Sequence, residues 1–247
     1  MLNPVTIVTV SFDTYFFVRL LVEKVREFVG PRDYEILVVD RGSRDGTLEW
    51  LRSQPDVRIH KKIQWRAKRH AHGEAAEIGV RRAKYDRIVL LDSDAHPIEK
   101  EWLKATVDRL DVHYRLAGAE FHKRLPDNSY SRYIHPHFMT FFKDDLGRHI
   151  ILRKRHGHEM DTGEESTQLI RNAGLGVIAC PMKFCSQFSV GHPEVPTVTA
   201  GVFHAWHGTR LAKRPGSMLR ESAGSITPEN YLEPLQAKLR SAYLLDF

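Results

Sequence analysis

The chain has 247 residues, of which 42% are hydrophobic and 28% are charged, and its formal net charge is +6. This length suits one large domain or two small ones with a proper core, and the composition disfavours disordered, collagen-like and coiled-coil proteins. The positive charge is compatible with an anionic partner such as a nucleotide, a phospholipid surface or nucleic acid. It is also common in proteins without such a partner, so it carries little weight.

The first half of the chain alternates short apolar runs with amphipathic segments. Strands are predicted at 5–10, 34–40, 57–60, 88–91 and 116–121, and helices at 15–29, 47–52, 74–83 and 99–110. Such alternation is typical of an α/β protein whose mostly parallel central sheet has helices on both faces.

The second half is less regular. Helices are predicted at about 164–172 and 229–243, whereas 122–160 and 208–228 read as loops with scattered Gly, Pro and charge. Cys180 and Cys185 are too few for a disulfide framework or a zinc site, so we expect buried thiols. Neither a signal peptide nor an apolar run of 18 residues is evident, and we expect a soluble, cytoplasmic protein with no transmembrane segment.

In the segment RIVLLDSD, residues 87–94, a predicted apolar strand is followed directly by Asp92-Ser93-Asp94. In open α/β sheets ligands bind outside the carboxyl ends of the strands, and Asp40 ends another predicted strand. Carboxylates gathered at one edge repel one another unless a cation lies between them, and oxygen ligands suit Mg²⁺ or Mn²⁺. Such a metal keeps positions open for phosphate oxygens, which makes a nucleotide diphosphate the natural ligand.

An Asp-x-Asp segment at the end of a strand is also found in other classes of protein. An isolated Asp at a strand end is often a helix cap or a turn former. A P-loop ATPase is disfavoured because no GxxxxGK[ST] motif occurs in the chain. A phosphatase with an Asp nucleophile usually carries its DxD on the first strand, and here the motif follows the fourth.

Three segments together resemble the nucleotide-binding half of a family 2 glycosyltransferase with the GT-A fold. They are TIVTVSFD at 6–13, EILVVDRGSRDGT at 35–47 and AEIGVRRAKYDRIVLLDSD at 76–94. The resemblance is strong over about residues 1–110 and loose over 150–210. It implies a nucleotide-sugar-binding half at 1–121 and an acceptor-binding, catalytic half at 122–247 of the same domain.

The resemblance also implies donor-binding residues. Arg41 stands where the family usually has Asp or Asn, and it either reaches a phosphate or points to solvent. The segment before the middle helix departs from the family pattern, so the register of its basic residues, including His72, is open. The positions that would contact the nucleobase, ribose or diphosphate are Thr9, Ser11, Asp13, Asp40, Arg41, Lys68, Arg69, Asp92, Ser93 and Arg210.

In the same family a His downstream of the DxD pair often completes the metal site. By this resemblance Asp94 would coordinate a divalent metal directly, and Asp92 would bind ribose, a metal-bound water or the metal. His204 is the preferred third ligand and His207 the alternate, with Trp206 available to stack on a sugar. The aromatic and His-rich stretch at 133–142 would form an acceptor wall, or else a core strand with two surface His.

Inverting members of the family carry a catalytic Asp or Glu at the start of a helix like the one predicted near 164. Asp161 is the first choice for the base that takes the acceptor's proton, and Glu164 and Glu165 are the alternates. Helix capping by the same residues is the competing explanation.

The predicted function is therefore a metal-dependent, inverting glycosyltransferase using a nucleotide-diphospho sugar, with a UDP-sugar as the default donor. The acceptor hydroxyl is left open between a saccharide, a small molecule, a peptide and a modified nucleic-acid base, and the oligomeric state is also open. A nucleotidyltransferase would normally have a Gly-rich, basic loop after the first strand, which VSFDTYFF lacks. A non-catalytic nucleotide-sugar-binding module is the other alternative.

Overall fold

The computed structural model describes residues 2–61, 71–153, 162–191, 196–206, 219–221 and 224–244. The strands of these residues are β1 Val5–Ser11, β2 Tyr34–Asp40, β3 Val57–Lys61, β4 Arg87–Asp92, β5 Ala95–Pro97, β6 Tyr114–Arg124, β7 Tyr130–Phe142, β8 Gly176–Pro181, β9 Lys183–Phe184, β10 Thr197–Thr199, β11 Val202–His204, β12 Leu219–Glu221 and β13 Gly224–Ile226. The α-helices are α1 Tyr15–Phe28, α2 Thr47–Arg52, α3 Ala71–Arg82, α4 Thr162–Asn172 and α5 Glu233–Tyr243.

A seven-stranded sheet in the order β3-β2-β1-β4-β7-β6-β8 forms the centre of the protein. The strands β1 to β4 run parallel, β7 is antiparallel to both β4 and β6, and β8 is parallel to β6. Ser11 pairs with Asp40, and Val10 pairs with Asp92. The register therefore brings the last residues of β1, β2 and β4 to one edge of the sheet, and the predicted mostly parallel sheet is confirmed.

Helices cover both faces of this sheet. Residues of β1 alternate between the two faces, so that Val5 and Ile7 pack with α1 whereas Val8 and Val10 pack with α3. The approach of α3 is close, because a Cβ on Gly79 would lie 2.5 Å from Cγ1 of Val8. The core thus lies between the sheet and each helical layer, as the alternating pattern of the first half predicts.

A smaller sheet in the order β5-β11-β10-β9 adjoins the edge where β4 ends. Its strand β5 follows β4 after Ser93 and Asp94, and it pairs antiparallel with β11. The C-terminal helix α5 packs Leu235 and Leu239 into a core cluster with residues of α1 and β11. The smaller sheet is therefore fixed between α1 and the C-terminal segment.

Several predicted elements are wrong. The predicted helix at 99–110 is a series of turns ending in the 3₁₀ helix Val107–Arg109, with hydrogen bonds from Lys104 N to Glu101 O and from Thr106 N to Leu103 O. The indole of Trp102 is buried and donates to the carbonyl of Phe28. The apolar face was recognised correctly, but its burial is achieved by turns packed against the core.

The region 122–160, predicted as loop, contains the end of β6 and all of β7, which form a long antiparallel hairpin. Part of the predicted loop 208–228 is also the two-stranded β12–β13 ribbon. The predicted C-terminal helix begins later, at Glu233, after a π-helical turn at Pro228–Leu232.

Cys180 and Cys185 are buried free thiols, as expected. The helices of the described residues are all too short or too polar to cross a membrane.

Candidate active site

The loop after β2 is built around the carboxylate of Asp40, which is fully buried. It accepts hydrogen bonds from the Ser11 hydroxyl at 2.9 Å, from Gly42 N at 2.9 Å and from Ser43 N at 3.0 Å. Each carboxylate oxygen thus has partners within the protein. Asp40 therefore fixes the shape of the loop at the sheet edge, whatever else it contacts in a complex.

The loops after β1 and β2 are tied together by Asp13. Its backbone N–H donates to the Ser43 hydroxyl at 2.9 Å, and its carboxylate accepts a hydrogen bond from Arg44 N at 2.7 Å. Asp13 itself has a left-handed φ of 51°, a conformation that is uncommon outside Gly, Asn and Asp. The sequence-predicted residues Ser11, Asp13 and Asp40 are thus brought together in one rigid wall.

Thr9 and Arg41 lie differently from the other predicted nucleotide contacts. Thr9 pairs with Val38 and Leu91 inside the sheet, and its buried hydroxyl makes no hydrogen bond with the described part of the chain. The guanidinium of Arg41 lies 5.3 Å from the ring of Phe12, and burial lowers its pKa. Thr9 is therefore a core position, and Arg41 folds back along the first loop.

Asp92, Asp94 and His204 form a cluster at the end of β4. The antiparallel pairing of β5 with β11 sets Ala95 opposite His204, and Ala205 N donates to the carbonyl of Asp94 at 3.0 Å. Nε2 of His204 consequently lies 3.4 Å from Oδ1 of Asp94 and 3.9 Å from Oδ2 of Asp92. One ligand atom from each of the three residues lies within 4.8 Å of the others.

Asp92 is held in its charged form within this cluster. Burial would raise the pKa of Asp92, but the hydrogen bond from His72 and the nearby imidazoles of His72, His204 and His135 hold it well below its usual value. His72 comes from the first turn of α3, with its Nε2 at 3.4 Å from Oδ1 of Asp92. Two carboxylates and one imidazole are a donor set that fits Mn²⁺ or Mg²⁺. Ser93, between the two carboxylates, is buried.

A group of rings surrounds His204. The ring of His137, on β7, is stacked on that of His204 with centroids 4.2 Å apart and planes at 2°. Nδ1 of His137 is 2.8 Å from Nδ1 of His135, so one of these rings donates to the other. Burial, with smaller effects of His204 and His135, lowers the pKa of His137 well below its usual value. Trp206 borders the group and donates its indole N–H to Thr197 Oγ1 at 2.8 Å.

Sequence reasoning did not identify the contact between His137 and His204. It left residues 133–142 open between an acceptor wall and a core strand with two surface His, yet His137 is only 1% exposed. The available signal was the pair of His two residues apart on an apolar strand, since such residues share one face. The pairing of β7 with β4, which places this face beside Asp92, was not visible in the local pattern.

The first turn of α4 presents two predicted candidates for the base. Glu164 and Glu165 are buried, and Nζ of Lys123 lies 3.0 Å from Oε2 of Glu164. The helix is anchored on β7, because Ile134 N donates to the hydroxyl of Thr167 at 2.9 Å. The remaining predicted residues lie outside the described residues; they are Lys68, Arg69, Asp161, His207 and Arg210.

Solved structures with a similar fold are glycosyltransferases of low sequence identity. The mannosyltransferase PcManGT from Pyrobaculum calidifontis, solved with GDP-Man and Mn²⁺, has a TM-score of 0.54 and 17% identity, over 98% of this chain and 76% of that one. Glucosyl-3-phosphoglycerate synthase from Mycobacterium tuberculosis, solved with Mn²⁺, UDP and glucosyl-3-phosphoglycerate, has a TM-score of 0.50 and 14% identity, over 72% and 70%. S. aureus TarS 1-349 has a TM-score of 0.50 and 13% sequence identity, and the match covers 66% of this chain and 55% of that TarS chain.

These likenesses establish the GT-A fold and leave the substrates open, because the identities are low. No curated protein sequence matches the chain significantly. The family model for glycosyl transferase family 2, in contrast, matches residues 6–167. The match includes β1 to β4, the DxD segment and the start of α4. The chain therefore belongs to glycosyl transferase family 2 and has the GT-A fold.

Proposed function

We propose that the protein is a metal-dependent, inverting glycosyltransferase that moves a sugar from a nucleotide-diphospho donor, by default a UDP-sugar, to a hydroxyl acceptor. The observation that carries the proposal is the cluster of Asp92, Asp94 and His204 at the carboxyl edge of the central sheet. Two of its members, Asp94 and His204, are buried, so their atoms are held in place before any ligand arrives.

Asp92, Asp94 and His204 would hold Mn²⁺ or Mg²⁺. A metal bound there would supply Lewis-acid stabilisation of the departing diphosphate. Support for a metal and a nucleotide donor comes from the similar structures, since the mannosyltransferase was solved with GDP-Man and Mn²⁺ and the synthase with UDP and Mn²⁺. His72, which approaches Asp92 from α3, would lie on the open side of this site.

The donor would lie along the wall formed by the loops after β1 and β2. Asp13 and Asp40 order these loops through hydrogen bonds, which reduces the entropy lost when a nucleotide binds. We assign donor binding to residues 1–121 and acceptor binding to residues 122–247, two halves that share β6. Further donor contacts are assigned to Ser11, Arg41, Ser93, Lys68, Arg69 and Arg210.

The acceptor's proton would be taken by a carboxylate at the start of α4. Asp161 remains the first choice and Glu164 and Glu165 the alternates. Inversion requires this carboxylate on the side of the anomeric carbon opposite the diphosphate, so that the acceptor oxygen is deprotonated as it attacks. Lys123 already pairs with Glu164, which favours a different residue as the base.

Calorimetry with a panel of nucleoside diphosphates, with and without Mn²⁺, tests the donor site on wild type and on Asp94→Ala. Glu101→Ala is the matched control, because it removes a carboxylate whose side chain is 70% exposed. Glu101 lines a cavity of about 740 Å³ together with Leu2 and Asn3, which precede β1, so it lies at the opposite edge of the sheet. Metal-dependent binding of one nucleotide, lost in Asp94→Ala and kept in Glu101→Ala, supports the proposal. Wild type that binds no nucleotide under either condition overturns it.

A further inference from the structure

The orientation of His204 needs an explanation. A metal-ligating imidazole usually donates its second ring N–H to a carboxylate, a carbonyl or water, which fixes the ring. Nε2 of His204 faces the two carboxylates, but its Nδ1 is buried and makes no hydrogen bond within the described ranges. The usual device for holding such a ligand is therefore missing among these residues.

The ring of His137 is the feature best placed to hold His204. The two rings are parallel within 2° at a centroid distance of 4.2 Å, so that His137 covers one face of His204. Trp206 lies against the ring from another direction, at 4.6 Å with its plane tilted by 56°. Between them these contacts restrict rotation of the His204 ring about its χ2 angle.

His137 is itself held rigidly. It is 1% exposed, and its Nδ1 is 2.8 Å from Nδ1 of His135. Its backbone belongs to β7 at the point where Phe138 pairs with Leu91 of β4, so the next residues along these two antiparallel strands are His137 and Asp92. The ring that contacts His204 is thus carried by the strand adjacent to the one that ends in the DxD segment.

We propose that His137 is a positioning residue of the candidate metal site, which fixes the ring of His204 by stacking in place of a hydrogen bond to Nδ1. The expected effect of His137 on metal affinity rests on the proposed function, because it requires a metal bound at Asp92, Asp94 and His204. The stacking itself exists without metal, so the orientation of His204 can be tested separately. Stacking needs a flat ring at position 137 and does not need its nitrogens, which gives the inference a specific signature.

The test compares His137→Ala with His137→Phe, measuring Mn²⁺ affinity by calorimetry at a fixed concentration of UDP. Loss of an outer residue that orients a ligand typically weakens metal binding by about 10–100-fold, and we expect this in His137→Ala. His137→Phe keeps a stacking ring and should stay within about threefold of wild type. Thr140→Ala is the control for a perturbed β7, since this buried hydroxyl bonds to Ala117 O and its loss should leave the affinity unchanged.

Equal affinity of His137→Ala and wild type would overturn the inference, and so would an equal loss in both variants at position 137. The second measurement is made without metal by NMR and follows the ring resonance of His204, which is assigned because it is absent from the spectrum of His204→Ala. In wild type it should show the ring-current shift of a stacked, immobile imidazole, and an unshifted or freely rotating ring would overturn the inference even if the variants at 137 do not fold. Wild type that binds no metal but shows the shift would refute the proposed function and retain the role of His137 in orienting His204.

Discussion

The helix α4 approaches β7 closely at Gly163, and Gly163→Ala tests that contact. A Cβ at this position would lie 2.1 Å from the carbonyl oxygen of Ile134 and 2.9 Å from Cδ of Pro136. Real Cβ atoms essentially never approach heavy atoms within 3.0 Å. Because the obstacle is backbone in a paired strand, the first turn of α4 must move away from β7.

The cost of this movement can be worked from the contacts. Overpacking of this kind costs about 1–3 kcal/mol, and the hydrogen bond from Ile134 N to Thr167 that is stretched is worth about 1 kcal/mol. The higher helix propensity of Ala returns at most about 1 kcal/mol. We therefore expect Gly163→Ala to destabilise the protein by about 1–3 kcal/mol, which lowers Tm by roughly 2–12 °C for a chain of this size.

Calorimetric melting of Gly163→Ala beside Gly176→Ala measures this effect. At Gly176 the added Cβ meets the side chain of Tyr114, which is 44% exposed and free to swing away, so its melting temperature should stay close to wild type. The movement of α4 also displaces Glu164 and Glu165, so transfer activity should fall more than Mn²⁺ affinity. If Gly163→Ala melts like Gly176→Ala, the close approach of α4 to β7 is wrong.

Two further predictions concern buried polar groups. The hydroxyl of Tyr231 donates to the carbonyl of Ala205, next to His204, so Tyr231→Phe should lower the free energy of unfolding in urea by about 1–3 kcal/mol, and unchanged stability would contradict this contact. Burial, with a smaller effect of Lys24, lowers the pKa of His96 to about 3, whereas the unfolded chain protonates this ring near pH 6.5. Its contribution to stability is thus complete above about pH 6.5 and is lost as the pH falls toward 3, by up to about 1.4 kcal/mol per unit; His96→Phe should unfold with a smaller pH slope, and equal slopes would refute the argument.

The part of the fold that the sequence predicted is the part encoded locally. β1, β2 and β4 are short runs of β-branched and apolar residues ended by polar ones, and their helical connections enforce parallel pairing. The edge formed by Asp40 and Asp92 follows from that pattern alone. The same reasoning failed at 99–110, where the spacing of the apolar residues is helical. The backbone angles of Thr106 are not helical, and Trp102 is buried by a segment that consists of turns.

A strand at 116–121 was predicted and a core strand at 133–142 was one of two open alternatives, but the long hairpin that β6 and β7 form was missed for a different reason. His135, Pro136 and His137 interrupt the apolar alternation that identifies a strand, and polar residues fill the turn around Asn128. The strand is nevertheless stabilised by pairing on both sides, with β4 and with β6, a property of the sheet as a whole. The local pattern does not identify β4, which is distant in the chain, as a partner of β7, so the neighbours of His137 could not be predicted.

The candidate metal site shows the same division between local and long-range information. Asp92 and Asp94 are two residues apart in one motif, whereas His204 joins them only because β11 pairs with β5, and His137 only because β7 pairs with β4. The family resemblance indicated a downstream His, and the short β-like segment TAGVF that precedes His204 favoured it over His207. Because the pairing of β11 with β5 brings His204 to Asp92 and Asp94, a misregister of β11 would separate the imidazole from the carboxylates. Metal affinity should therefore report on the assembly of the smaller sheet as well as on the DxD segment.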